Sequence, residues 1–316
     1  MLKRIGLAFA VLVLLAAPAV AASPGALALV PEDATAVGFV RVADLRSNPF
    51  QLRVFEEMDK ATAHGDAAHF LSEAGLDLRN DVDTLVACTA ASSEARGRTL
   101  VLFEGRFDPG KLASALANRG AVKVSAASSD YFRLKDGSES REPGAVAIVG
   151  PGLVAAGNES AVAAALARRG SGAAAFGAGA GLGREFHRVD PSSTAWVLVD
   201  VQKSHAYREG GAASGVLTAL KSVSVAAMQA TVESDALTVK AIGLSDDEET
   251  RELLEDSLRG LTAAWRMAAQ EKNPDLVSAI RKFKVVRDGE GVTISGTLPG
   301  DLIRSMTALA GTRSAK

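Results

Sequence analysis

The pattern of apolar and polar positions opens on one unbroken apolar run. Met1–Ala22 reads MLKRIGLAFAVLVLLAAPAVAA. Lys3 and Arg4 give it a basic start, and Ile5 to Ala17 is interrupted only by Gly6. Pro18 then breaks the helix, and small residues follow at Ala19, Ala21 and Ala22. This is the layout of a secretory signal peptide, with cleavage expected after Ala21 or Ala22. Ile5–Ala22 is near the shortest length that crosses a bilayer, but Pro18 and the small residues beside it favour removal over anchoring. The next long apolar stretch, Ala161–Leu182, is Ala and Gly with Arg168 and Arg169 inside it. No membrane span is therefore expected in the mature chain.

Behind the leader the pattern alternates between strand and helix periods. A polar turn with a proline runs into a β-rich strand twice, at Val30-Pro-Glu-Asp-Ala-Thr-Ala-Val-Gly-Phe-Val-Arg-Val42 and at Val189-Asp-Pro-Ser-Ser-Thr-Ala-Trp-Val-Leu-Val-Asp-Val201. Without a gap, Val30, Thr35, Ala36, Val40 and Val42 match Val189, Thr194, Ala195, Val199 and Val201. In the first half a strand over Thr99–Phe107 meets a helix capped by Asp108 with Pro109 at its first position. In the second, a strand over Ala236–Leu244 meets a helix expected to start at Ser245, with Glu248 completing a capping box. Leu254, Leu258, Leu261 and Trp265 form that helix's apolar stripe. Each half then closes on a hairpin and a helix. The first hairpin turns at Gly150-Pro151-Gly152, before a helix over Ser160–Arg168. The second turns at Asp288-Gly289, before a helix carrying Leu302, Ile303, Met306 and Leu309. Two further helices are expected in the first half. One is capped by Ser47-Asn48-Pro49 and buries Phe50, Val54, Phe55 and Met58; the other, Asp66–Ala74, ends at Gly75.

The pattern predicts a leader over 1–22, a first α+β lobe over 23–168, a Gly/Ala-rich linker over 169–187 and a second α+β lobe over 188–316. Each lobe is read as a largely antiparallel sheet with helices packed on it. The repeated order of elements points to an internal repeat.

Composition narrows the function classes. The chain has 35 basic and 37 acidic residues; without Lys3 and Arg4 the count is 33 against 37, a net charge of −4. That balance argues against nucleic acid as a partner, which needs a basic footprint. Two Trp, two Tyr and 11 Phe offer little for stacking on sugars or bases. One cysteine excludes an internal disulfide.

Candidate chemistry is sparse. Cys88 lies in an apolar strand and reads as a buried small side chain. Gly177, Gly179, Gly181 and Gly183 alternate but miss the phosphate-binding spacing, because position 182 is Leu. His64, His69, His187 and His205 have no metal-ligand spacing. Asp246-Asp247-Glu248-Glu249 fits the first turn of a helix, where acids favour the dipole. Asp77, Asp81 and Asp83 make a better cation loop, though a solvated turn is the preferred reading. Asn158-Glu159-Ser160 matches both a glycosylation sequon and a helix start. No residue is nominated as catalytic, cofactor-binding or metal-ligating, and no cofactor is expected.

Leu29-Val-Pro-Glu-Asp-Ala-Thr-Ala-Val37, Gly75-Leu-Asp-Leu-Arg-Asn-Asp-Val-Asp83 and the late hairpin Val285–Leu298 with Pro299-Gly-Asp-Leu302 resemble a pattern in uncharacterised bacterial exported proteins of the domain-of-unknown-function kind. The resemblance implies an internally duplicated α+β protein outside the cytoplasm, and carries over no site residues. The expected function is a non-catalytic protein of the cell envelope, periplasmic or secreted, that binds an envelope protein or a small ligand. The alternatives are a periplasmic carrier of an apolar ligand and a hydrolase with a scattered site.

Overall fold

The computed structural model describes residues 24–46, 66–90, 97–125, 129–135, 142–204, 223–233, 235–270 and 273–303. The first half contributes seven strands: β1 (Ala34–Arg41), β2 (Val82–Ala90), β3 (Arg98–Gly105), β4 (Val122–Ser125), β5 (Asp130–Arg133), β6 (Gly144–Gly150) and β7 (Leu153–Asn158). The second contributes β8 (Ala195–Asp200), β9 (Val225–Glu233), β10 (Ala236–Leu244), β11 (Lys284–Arg287) and β12 (Gly291–Pro299). All twelve join in one sheet, in the order β11-β12-β10-β9-β8-β1-β2-β3-β7-β6-β5-β4. Each pairing is antiparallel, and the fold is α+β. The sheets of the two halves meet edge to edge through β1 and β8, with Phe39 opposite Trp196.

Outward from that junction the first half runs β1-β2-β3-β7-β6 and the second β8-β9-β10-β12-β11. In both, a helix follows the third strand, and a hairpin returns to lay its second strand against the third. The first half adds the short strands β4 and β5 at its outer edge, which the sequence pattern did not single out.

Eight helices among the described residues accompany the sheet: α1 (Pro24–Leu27), α2 (Val42–Leu45), α3 (Asp66–Ala74), α4 (Leu78–Asp81), α5 (Pro109–Asn118), α6 (Glu159–Gly170), α7 (Glu248–Ala269) and α8 (Pro274–Ile280). A further helical turn opens at Gly300. α3 ends at Gly75 in the left-handed region, φ 59°, as its sequence predicts. α5 is capped by Asp108 with Pro109 at its first turn, and buries Leu112, Ala115 and Leu116.

Burial alternates along β2 and β6, whereas the central strand β1 is buried on both faces. On β2 every second residue from Val82 to Ala90 is buried. Val37, Phe39, Val86, Leu100, Leu102 and Trp196 share one core, covered by α1 and by the buried face of α6, Ala161, Val162, Ala165 and Leu166. Other residues of the same strands, among them Val40, Leu85 and Phe103, enter a second core with Val232 and Leu237.

Three expectations change. The N-cap of α7 is Asp247, which accepts hydrogen bonds from Thr250 N at 2.7 Å and Thr250 Oγ1 at 2.5 Å; Ser245 sits before it, and its Oγ accepts from Asp247 N at 3.3 Å. The α7 stripe leaves the core before its end: Leu254 is buried, but Trp265 is 48% exposed. The segment expected as a linker is packed. Gly181–Arg188 forms a 3₁₀ turn, and Phe176 N donates to Leu27 O at 3.1 Å. The helix predicted behind Ser47 lies outside the described residues, as do Met306 and Leu309 of the last helix.

Candidate functional site

Asp77, Asp81, Asp83, Asp247 and Glu248 are engaged by the fold. Asp77 caps α4, accepting from Arg79 N at 2.9 Å and Asn80 N at 3.2 Å. Asp81 returns the contact by accepting from Asp77 N at 2.8 Å. Asp83 faces Arg46 Nη1 at 2.7 Å and Arg106 Nη1 at 3.4 Å. Three carboxylates near in sequence thus point at separate donors, and among the described residues no group of His, Cys, Asp and Glu could hold a metal ion. In the other acidic run, Glu248 pairs with Arg251 and with Arg287. Hydrogen bonds from Thr250, side chain first and then backbone, hold the Asp247 carboxyl below its ordinary range.

Cys88 is buried, and desolvation together with the Asp33 charge pushes its thiol up to about 12. The crevice beside it, lined by Pro31, Ala90, Arg98, Leu100 and Ala161, leaves no room for a ligand. His69 is exposed on α3, and His187 Nδ1 lies 2.8 Å from Arg184 O. His64 and His205 lie outside the described residues. Asn158 immediately precedes α6, and its Oδ1 accepts from Thr99 N at 2.7 Å, across to β3. Of the alternating glycines, Gly177 is closely packed and Gly179 is open. At Gly177, φ 104°, a Cβ would stand 2.5 Å from Phe186 Cδ1.

What the sequence did not mark is a set of buried polar atoms around the β1–β8 junction. Trp196 is fully buried and stacked between Phe39, with centroids 5.4 Å apart, and Phe176, 6.3 Å away. Phe186 meets its edge at 5.2 Å. Its Nε1 has no hydrogen-bond partner. Arg41, at the end of β1, is buried and donates from Nη2 to Pro191 O at 2.6 Å and Ser193 O at 3.2 Å. Its Nε and Nη1 make no hydrogen bond, nor does Asp44 Oδ2, although Nη1 and Oδ2 form an ion pair at 3.7 Å. Desolvation raises Asp44 to about 6 against the pull of Arg41, and lowers Arg41 against the pull of Asp44. Burial outweighs attraction for both members of the pair.

On β3, Glu104 is also buried. Its Oε1 accepts from Ala26 N at 2.9 Å, so a strand side chain caps α1, while Oε2 has no partner. Arg41, Thr84 and Glu104 stand in a row across three strands. A lone charged letter inside an apolar strand was the one sequence signal for Arg41 and Glu104.

No protein-family model and no curated protein matches the chain. Among solved structures the fold is similar to TP0453 in three crystal forms. Form IV has a TM-score of 0.50 at 11% identity, covering 92% of this chain and 97% of that one. Form I has 0.49 at 10% identity, covering 88% and 94%; form III has 0.49 at 9%, covering 88% and 96%. At this identity the likeness is one of fold alone. Among the described residues no helix is long and apolar enough to cross a membrane.

Proposed function

We propose that the chain is a non-catalytic exported protein of the bacterial cell envelope, periplasmic or secreted, that binds a partner or ligand there. The observation that carries the reading is the leader Met1–Ala22, whose basic start, apolar run and small residues suit export and removal. The carboxylates and arginines that might have formed a site support it, because they serve as caps and ion pairs of the fold. The two halves are read as copies of one unit, with the boundary between them in 169–187.

Expression of the full chain in a bacterial host, followed by fractionation and intact-mass measurement, tests the export reading. A mature species beginning at Ala22 or Ser23, outside the cytoplasm, is the expected result. Full-length chain retained in the cytoplasm overturns it. Turnover in a broad hydrolase screen, abolished by changing one polar residue, would overturn the non-catalytic part.

A further inference from the structure

Three of the exposed large apolar side chains among the described residues lie on α7: Leu253 at 55%, Trp265 at 48% and Met267 at 72%. Trp265 continues the buried stripe past the sheet. Leu253 and Met267 mark a different line, on the face turned away from buried Leu254. They stand seven residues before and seven residues after Gly260. Seven residues are close to two helical turns, so the three positions line up. Asp256, Gly260 and Ala264 along this face are exposed too. A Cβ at Gly260 would meet nothing within 4 Å, so the middle of the line is open backbone.

Charge along α7 divides near the same glycine. Glu248, Glu249, Glu252, Glu255 and Asp256 lie before it, against Arg251 alone. From Ser257 to Ala269 there are Arg259 and Arg266 and no acid. Arg259 is taken by Glu255 of its own chain, at 2.6 Å. Asp256 and Arg266 are exposed, and neither enters an ion pair among the described residues. They are about 15 Å apart along the helix, too far to pair with each other.

These features complement one another when α7 meets a second α7 running the opposite way about a two-fold axis at Gly260. Residues equally far before and after Gly260 then lie level across the seam. Leu253 of each copy is covered by Met267 of the other. Gly260 lets the two axes approach closely. Arg266 of one copy arrives midway between the levels of Glu252 and Asp256 of the other. All three charged side chains share one flank of the line, which the two-fold brings together.

We propose that this face of α7 is a homodimer interface, on which a second copy packs its own α7 antiparallel, centred at Gly260. The proposal stands on α7 alone and holds whether or not the chain is exported. One helix pair is at the small end of specific interfaces, so the dimer is weak and reversible, with a dissociation constant on the order of micromolar.

Sedimentation equilibrium of the full chain, expressed with its own leader, tests this over roughly 1–200 μM. A monomer–dimer equilibrium is expected. Asp256→Arg or Arg266→Asp alone sets like charges across the seam and should weaken association about tenfold. Both together restore opposite charges and should return it to within about threefold of wild type. Gly260→Gln favours the helix but holds the two axes apart. It should abolish the dimer while the melting temperature of the dilute monomer does not fall. A chain that stays monomeric over the whole range overturns the proposal, even if this face then captures another protein or lipid vesicles. So does a dimer indifferent to Gly260→Gln, or a double charge reversal that associates no better than the single ones.

Discussion

Gly38 of β1 and Val197 of β8 stand directly opposite each other at the centre of the pairing that joins the two halves. The sequence offset between them equals the one that aligns Val30 with Val189. On either side, Ala36 faces Val199 and Val40 faces Ala195, so each pair is the image of the other under that offset. The matched strand openings therefore meet across a local two-fold. The charged pairs beyond the junction follow the same offset. Arg41 and Asp44 in the first half correspond by the same offset to Asp200 and Lys203, which form an ion pair of reversed order at 2.8 Å.

The junction joins the halves in one continuous sheet. Neither β1 nor β8 is an edge, and Phe39 and Trp196 stack across the seam. In a Trp265→Phe background, Trp196 fluorescence reports the junction while circular dichroism reports the whole sheet. The two urea transitions should coincide. A separate, earlier fluorescence transition would show that the halves come apart before they unfold.

Trp196 itself carries opposing contributions. Its ring is fully buried among three phenylalanines, whereas its N–H is buried without a partner. Trp196→Ala leaves a cavity and should cost about 3–5 kcal/mol. Trp196→Phe keeps much of the ring contact and removes the orphan donor, whose burial costs about 1–3 kcal/mol. Its loss should be less than half that of the alanine variant, measured by urea unfolding. Equal losses would mean that the indole N–H is satisfied in solution.

These two cases also mark where the fold was legible. β10 falls on Ala236–Leu244 as its alternation predicts, and both hairpins turn at their Gly-containing signals, because local sterics decide such features. The cap of α7 moved from Ser245 to Asp247 because Ser and Asp are equally good N-caps, and only the path of the chain leaving β10 chooses between them. β4 and β5 have four residues each, too few for a period to emerge. The union of the halves through β1 and β8 is a long-range pairing with no local signature. Arg41, Asp44 and Glu104 were not legible as buried groups, since a charged letter says nothing of which neighbours close over it. Conversely, Trp265 reads as core by spacing, yet α7 runs past the surface it covers.

The glycine-rich connection supplies a paired test. At Gly177 the left-handed φ and the Phe186 ring both oppose a side chain, while at Gly179 a Cβ would meet nothing within 4 Å. Gly177→Ala should destabilise the chain by roughly 1–3 kcal/mol. Gly179→Ala should fall within about 0.5 kcal/mol of wild type. Two near-neutral substitutions would return this segment to the role of a passive linker.

Cys88 provides a check on core closure. A thiol raised to about 12 and shielded from solvent carries almost no thiolate at neutral pH. A thiol-reactive probe should leave Cys88 unmodified in the folded chain and label it fully in denaturant. Rapid labelling without denaturant would show that the core around β2 opens readily.

Asp44 sets a pH dependence with a definite sign. Its carboxyl titrates near 6 in the fold against 3.8 as its ordinary value, because desolvation outweighs Arg41. Between these two values the folded chain holds the proton more tightly than the unfolded one. The stability this group contributes is therefore greatest below about pH 4 and declines as pH rises through 6. A shift of this size corresponds to roughly 2–3 kcal/mol. Glu159 and Asp190 work the other way: hydrogen bonds from Arg133 depress Glu159, and those from Ser192 depress Asp190, so both lose their stabilising effect only under stronger acid. The contrast is best read as a difference between two chains. Urea midpoints of wild type and Asp44→Asn, taken at pH 4, 5, 6 and 7, should diverge. The wild type should lose ground relative to the variant as pH rises, and the gap should level off above pH 7. Parallel curves would place the Asp44 carboxyl back in the ordinary range, and would mean that an ordered water or the Arg41 guanidinium satisfies Oδ2 in solution.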